Sequence, residues 1–441
     1  MKNHQSWGNF PRAEQEVYPL RWRSEAVFPE TTKSLLPYAY GRSYGDSCLN
    51  DGEALLDVSA LNRFIAFDAE TGVLRAEAGI SLEQILEFAV PKGFFLPVTP
   101  GTKFISLGGA IANDVHGKNH HRAGTFGRHV RAFELLRSDG SRLICSESEN
   151  SEMFRATIGG LGLTGLILWV ELTLRPIDGA TINSESVKFA NLAEFFTVAE
   201  DSDAAYEYTV AWVDCSSRGH NLGRGLYSRG NHMTGPLVPS SKPKFAAPID
   251  APKFVLNRFT VQAFNAAYYG KQRQPVLHKQ DHYESFFYPL DAVGAWNRIY
   301  GKRGFLQYQF VLPYSGDQSV IREVFDIIAA SKQGSFLAVL KMFGDLPSLG
   351  LLSFPRPGVT LALDFANGGE KTMRLLADLD VLIHQNGGRV YPAKDARMSA
   401  AHFQAFYPEW RAFSAYIDPR FSSSFWRRVT CPQPSEPQPS T

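Results

Sequence analysis

Apolar and polar positions along this chain alternate with two periods. "EALLDVS" (53–59) and "GVLRAEAG" (72–79) are short apolar runs bounded by turn residues and predict strands. "SLEQILEFAVPKG" (81–93) repeats apolar residues at helical spacing. It begins on the N-cap residue Ser81, with Glu83 and Gln84 in the first turn and Pro91 near the end, and predicts a helix. "SEMFRATIGG" (151–160) predicts a short helix ending on glycines, and "LTGLILWVELTLRP" (163–176) a long strand running to Pro176. The pattern shifts after Pro176. "YEYTVAWVDC", "GFLQYQFVLP", "SFLAVLKMFG" and "VTLALDFA" predict isolated strands between 180 and 390, with amphipathic helices near 317–331 and 370–386. That spacing predicts an antiparallel sheet backed by helices, following an α+β or α/β lobe. Residues 229–255 are rich in Pro, Ser and Lys and are expected to form a mobile surface loop, and 431–441, "CPQPSEPQPST", a disordered tail. No internal repeat is visible.

Composition narrows the class. The chain has 441 residues, 44% of them hydrophobic and 20% charged, which predicts a soluble globular protein of two lobes. A formal net charge of +1 gives no long-range field for nucleic acid, and none is expected as a partner. The N-terminal stretch lacks an apolar export segment, and no run is long and apolar enough to predict a transmembrane helix. Cys48, Cys145, Cys215 and Cys431 are scattered without CxxC pairing and are expected as thiols in a reducing, cytoplasmic compartment.

Two glycine-rich loops carry the first chemical signal. "GLGLTG" (160–165) fits GxGxxG, but the predicted helix precedes it and a strand follows. A dinucleotide fingerprint needs the reverse order, so a Rossmann site is rejected; the glycines can still line a cofactor through backbone amides. "YGRSYGDS" (40–47) suits a tight turn whose N–H groups form an anion nest beside Arg42, or a plain hairpin turn. "TPGTKFISLGGAIANDVHG" (99–117) pairs a Pro-Gly turn with a double glycine, a surface that a flat phosphorylated ligand can approach closely. Four of the chain's 11 histidines lie in 110–130. His116 and His120 have i,i+4 spacing, but Gly117 stands where a zinc protease has its glutamate, so no metal is expected. His120, His121 and His129 are expected as ordinary loop histidines. Lys394, among Arg389, Asp395 and Arg397, is either a surface charge or a cation tuned by burial. Alternation in "FLQYQFV" puts Gln307, Gln309 and Val311 on one face and Leu306, Tyr308 and Phe310 on the other, which suits a pocket floor or solvent.

Taken together, "GRSYGD", "PGTKFISLGGAIANDVHGKNHHRAGTFG", "GGLGLTGLI", "FLQYQFVLP" and "YPAKDAR" resemble the decaprenylphosphoryl-ribose 2′-oxidase family of the vanillyl-alcohol oxidase superfamily, from about Pro37 to about Arg428. The resemblance implies an α+β, two-lobe fold of that type. An FAD-binding lobe (1–178) takes a C-terminal return (389–430), and an antiparallel-sheet substrate lobe (179–388) covers the flavin. It implies oxidation of the 2′-hydroxyl of a polyprenyl-phosphate ribose to a ketone, the first half of an epimerisation that serves cell-wall arabinan synthesis. A separate NAD(P)H-dependent keto-reductase would complete it. A lipid-linked pentose substrate leaves peripheral contact with the inner membrane face open, and a soluble sugar-alcohol or aldonolactone oxidase using O2 is the alternative.

Carried over by position, the resemblance implies that Gly41, Arg42, Ser43, Tyr44, Gly45, Asp46 and Ser47 cradle the FAD pyrophosphate. Gly101, Ser106, Gly108 and Gly109 would form a second wall, and His116, Gly117, Lys118 and Asn119 would lie along the flavin. Ile167 would hold the adenine-side half, and Tyr391 would sit near the flavin ring. Gln309, Lys341 and Lys394 would meet the substrate, Trp212 would wall the pocket, and Lys394, Gln309 and His116 would carry the chemistry. Two departures matter. Tyr44 stands where covalent members have a flavin-linking histidine, which implies non-covalent FAD. Ala362 stands where mycobacterial members have a cysteine, which leaves the lipid chain and the sugar open.

Overall fold

The parallel and antiparallel pairings of this chain sort it into two lobes that meet at a cavity. The computed structural model describes residues 4–239, 245–246, 257–314 and 316–430. In the first lobe, Glu16–Pro19 and Leu35–Tyr38 pair in parallel with the fully buried strand Ala54–Asp57 between them. Beside it runs a five-stranded antiparallel sheet in the order Phe64–Asp68, Val73–Glu77, Leu166–Thr173, Val130–Leu136, Arg142–Ser146. The helix Leu82–Ala89 begins as its sequence requires: Ser81 Oγ accepts from Gln84 N, and the Gln84 side chain accepts from Ser81 N. It buries Leu82, Ile85, Leu86 and Ala89 against this sheet.

The second lobe is an eight-stranded antiparallel sheet ordered Val276–His282, Thr181–Phe189, Gly225–Met233, Tyr208–Val213, Ala338–Phe343, Gly358–Ala366, Phe305–Leu312, Arg389–Val390. Period-two alternation decides what each face meets. Leu306, Tyr308, Phe310, Leu340, Leu361 and Leu363 pack with the helices Ser319–Ser331 and Glu370–Gln385 in one core. Gln307, Gln309, Val339, Lys341 and Ala362 point the other way, toward the first lobe. All eight residues of Phe305–Leu312 are buried, so the glutamines floor a pocket and do not face solvent.

Three placements differ from the sequence reading. Residues 229–233 are not loop but the end of strand Gly225–Met233. Its polar appearance arises because Arg229 lies opposite Glu185 in the register and is ion-paired with it at 2.6 Å, so charge sits on a sheet without exposure. Phe245–Ala246 pairs in parallel with Val293–Gly294; the rest of the expected loop, 240–244 and 247–255, lies outside the described residues, as does the tail 431–441. Arg389–Val390, expected to open the return to the first lobe, instead closes the edge of the eight-stranded sheet.

The chain then returns. Leu35 N donates to Arg420 O at 2.7 Å, and Phe421 packs among Leu35, Leu56 and Leu61. Arg428 reaches from the last helix, Ser424–Thr430, to two buried carboxylates: 2.7 Å to Asp46 and 2.8 Å to Asp395. Removing one partner from a buried pair strands the other charges, so Arg428→Met is expected to destabilise by about 3–5 kcal/mol, read as a clear fall in melting temperature. Arg374→Ala, which breaks an exposed pair with Glu370, should stay within about 1 kcal/mol.

Candidate functional site

A cavity of about 370 Å³ lies between the lobes. Of the residues singled out from the sequence, Gly41, Arg42, Ser43, Tyr44, Ser47, Gly101, Ser106, Gly108, Gly109, His116, Gly117, Lys118, Ile167, Gln309, Lys341, Tyr391 and Lys394 line it. Four do not. Gly45 is packed against the backbone of Asp395, where a Cβ would come within 1.7 Å of the carbonyl oxygen. Asp46 turns away to Arg428. Asn119 lies behind the wall, its amide donating to Pro97 O at 2.8 Å and to Glu207 at 3.1 Å. Trp212 sits on the cavity-facing side of its strand but beyond the cavity's edge, donating to Phe336 O and packed at a tilt against Tyr268 with ring centroids 4.6 Å apart; Val210, two residues earlier, takes the lining position.

One end of the cavity suits a phosphorylated cofactor. Gly41 has φ +59° and a Cβ there would lie 2.3 Å from Gln5 O, so glycine is required. Gly108 N donates to Ala78 O at 2.7 Å, which draws the second loop tightly onto the sheet. Ser47 Oγ and Arg42 Nε are buried there without hydrogen-bond partners. The Arg42 guanidinium lies 4.0 Å over the Trp7 ring and pairs with no carboxylate within 4.0 Å among the described residues. Orphaned donors beside two glycine loops fit a diphosphate. Leu161, Gly162, Gly165, Leu166 and Ile167 continue the wall, so the rejected GxGxxG segment does line the cavity.

The other end carries polar chemistry. His116 Nε2 lies 3.0 Å from Gln309 Nε2 and its Nδ1 lies 3.1 Å from Lys341 Nζ. Burial, with Lys341 nearby, holds the imidazole well below its usual pKa, so it is neutral. Lys118, Lys341 and Lys394 open onto the cavity but are screened from bulk water. Burial lowers Lys118 to about 8. Burial, then the charges of Lys118 and Lys394, lowers Lys341 to about 7. Burial also pulls Lys394 down, opposed by the Asp364 carboxylate; the Lys394 ammonium lies 3.9 Å over the Tyr44 ring. Asp364 accepts from Gln307 Nε2 at 2.5 Å and from Tyr300 OH at 3.2 Å. Tyr391 donates to Asn113 O at 2.8 Å and stacks on Phe354 with centroids 4.5 Å apart.

The remaining histidines disperse. His120 packs at a tilt against Phe343, His121 contacts Tyr206 O and His129 contacts Ala123 O. Sequence reasoning missed Trp7, Trp296, Thr360 and Asp364. The first two line the cavity from segments with no motif, and the other two act through Gln309 and Gln307. The only signal was alternation: Thr360 and Asp364 share a face with Ala362.

The family described as FAD binding domain matches residues 26–146, which include both glycine loops. Decaprenylphosphoryl-beta-D-ribose oxidase of Mycolicibacterium smegmatis is 37% identical over 417 residues, 91% of this chain and 90% of the relative. An uncharacterized protein of Streptomyces coelicolor is 30% identical over 369 residues, 79% of this chain and 100% of the relative. L-gulonolactone oxidase of Mus musculus is 32% identical over 153 residues, 34% of each chain. The cofactor is therefore FAD. The Tyr44 hydroxyl is turned to Gln307, and burial pushes the cavity-lining Cys48 thiol up to about 12, which leaves neither poised as a flavin link. Acid or heat is expected to release all FAD into the supernatant, and flavin absorbance remaining on the denatured chain would contradict this.

Proposed function

The chain belongs to the decaprenylphosphoryl-β-D-ribose oxidase family, and from that premise we propose that it oxidises the 2′-hydroxyl of a polyprenyl-phosphate ribose to the 2′-keto sugar. It is an FAD-dependent oxidoreductase acting on CH–OH groups. The observation that carries the reading is the convergence of His116, Gln309, Lys341 and Lys394 on one cavity with the cofactor loops. Oxidising an alcohol needs a hydride acceptor and a place for the hydroxyl proton. Bound FAD supplies the first, held by the loops 41–47, 101–109 and 161–167. The side chains of the sheet and of the 391–394 turn supply the second.

Each residue then has a task. Gln309, fixed by Thr360, orients the sugar. Lys394, with Asp364 as counter-charge, is the cation that stabilises negative charge developing on the reacting oxygen. The imidazole of His116 stays neutral and packs against Phe343, Phe354 and Tyr391, which keep that wall dry. The strands between Thr181 and Val390 form the substrate side, and the FAD lobe is completed by the C-terminal return. A keto sugar is a reactive product, so a separate NAD(P)H-dependent keto-reductase completes epimerisation to the arabinose form for arabinan synthesis. Among the described residues no helix is long and apolar enough to cross a membrane. A lipid-linked substrate supports the reading that the enzyme meets it peripherally, at the inner membrane face.

The alternative, an aldonolactone or sugar-alcohol oxidase using O2, draws on a relative matched over only 34% of this chain. Anaerobic mixing separates the two: polyprenyl-phosphate ribose is expected to bleach the flavin, whereas gulonolactone and xylitol are not. Bleaching by gulonolactone alone would reverse the assignment. Lys394→Ala should fold and retain FAD, yet reduce its flavin roughly 10²–10⁴ times more slowly in stopped flow. Lys394→Arg should also be poor, because the longer, planar guanidinium has a different shape and spreads its charge away from the point where the ammonium sits over the Tyr44 ring. Near-normal reduction by Lys394→Ala would make that lysine a bystander.

A further inference from the structure

The three cavity lysines are not equivalent, and a donor-by-donor count along one hydrogen-bond chain shows how. Thr360 Oγ1 donates its single hydrogen to Phe310 O at 2.8 Å. Its oxygen therefore accepts from Gln309 Nε2, 3.2 Å away, which fixes which end of that amide faces Thr360. The same amide nitrogen lies 3.0 Å from His116 Nε2, so Nε2 must accept. A neutral imidazole whose Nε2 accepts carries its hydrogen on Nδ1. That Nδ1–H points at Lys341 Nζ, 3.1 Å away. An ammonium there would set N–H against N–H; an uncharged amine offers a lone pair.

We propose that Lys341 is the proton acceptor of the reaction, working as a neutral amine selected by the chain Thr360–Gln309–His116. This rests on the alcohol-oxidation reading above and deepens it. The surroundings agree from every side. Lys118 comes from the 116–119 loop and Lys394 from the 391–394 turn, both of like charge, and neutral His116 and His120 face it as well. The Gly117 carbonyl, at 3.4 Å, takes one N–H. No carboxylate lies within 4.0 Å of the amine among the described residues, whereas Lys394 has Asp364. Two lysines in one cavity thus differ in what opposes burial: Lys394 has Asp364 beside it, and Lys341 has an imidazole and a carbonyl.

The step balances. The substrate O–H bond breaks and its proton joins the Lys341 lone pair, making an ammonium. The C–H bond breaks, its electron pair leaves as hydride to FAD, and the C=O bond forms. To take that proton the amine turns its one lone pair from the imidazole Nδ1–H to the substrate hydroxyl, and the Gly117 carbonyl, which also faces the ring, takes the released Nδ1–H.

Nitrogen NMR of the FAD-bound enzyme with ¹⁵N-lysine tests this directly, with Lys341 assigned by the signal missing in Lys341→Met. At about pH 8 its Nζ is expected at the neutral-amine position, moving to ammonium as pH falls through about 7. An ammonium signal throughout pH 6–9 would overturn the proposal. A second variant keeps the test independent of that titration. In Gln309→Glu a carboxylate accepts from Nε2–H, so Nδ1 accepts and Lys341 is expected as ammonium at pH 8. Flavin reduction should then fall about 10²-fold or more with FAD still bound. An unchanged Lys341 signal in this variant would refute the hydrogen-bond account. Failure of the alcohol-oxidation reading is separate: it shows as no bleaching of wild-type flavin by polyprenyl-phosphate ribose, while the lysine signal is read without substrate.

Discussion

Arg428 fixes the geometry on which the site depends. Its guanidinium spans Asp46, in the first glycine loop, and Asp395, in the turn after Lys394. These segments lie nearly the whole chain apart, and the clamp presses them together so closely that Gly45 has no room for a side chain. Tyr44 N donates to Ala393 O at 2.9 Å across the same seam. The Tyr44 ring is thereby set beneath the Lys394 ammonium. A diphosphate cradle and a reactive lysine are thus one rigid unit, and movement at either is felt at the other. The carboxylates are buried because their charge is needed there: without Arg428 they would repel across the seam that they now close.

Charge at the other end of the cavity is governed by what the sheet withholds. A buried lysine keeps its proton only where something offsets desolvation. Asp364, held by Gln307 and Tyr300, does so for Lys394. Lys341, on the neighbouring strand, receives an imidazole and a carbonyl but, among the described residues, no carboxylate within 4.0 Å. Because Gln307 pairs with Asp364 and Gln309 with Ala362 in register, a two-residue step along these strands changes a charged partner into an apolar one. Lysines of identical chemistry can therefore divide the work of an alcohol oxidation between them.

Much of this was legible in the chain. The capping box at Ser81, the alternation of Phe305–Leu312 and the glycine loops are local signals, and local signals specify local structure. Motif matching then brought most of the cavity wall together. Gly45, Asp46, Asn119 and Trp212 do not line the cavity, because a motif is contiguous whereas a wall is not: in a tight turn, neighbouring residues point to opposite sides. Trp212 has the correct parity on its strand but sits past the cavity's end, a matter of depth that alternation does not encode. Trp7 and Asp364 were invisible for another reason. Each acquires its role from a partner remote in sequence, Arg42 and Lys394 respectively, and from burial that only the folded chain creates. The strand Gly225–Met233 was obscured because cross-strand ion pairing lets a polar sequence lie in a sheet.

The distribution of likeness along the chain says where substrate choice resides. The FAD binding domain match ends at residue 146, before the first strand of the eight-stranded sheet. Relatives with different printed activities, such as L-gulonolactone oxidase, share about a third of the chain, while the ribose oxidase relative is matched over 91% of it. A fold that binds FAD permits many oxidations and selects none. Gln307, Gln309, Lys341, Thr360 and Asp364 all lie on strands of the eight-stranded sheet, and His116, Lys118, Tyr44, Tyr300 and the 391–394 turn reach them from outside it. The cofactor lobe thus fixes where hydride can go, and the sheet fixes which hydroxyl can lose a proton at that place. Ala362 is the test of that division within the sheet itself. It lies between Thr360 and Asp364 on the cavity face, and a small apolar residue there widens the floor beside Gln309 without touching either charge system. Variation at that one position can change which sugar or lipid fits while the proton chemistry on both sides of it stays intact.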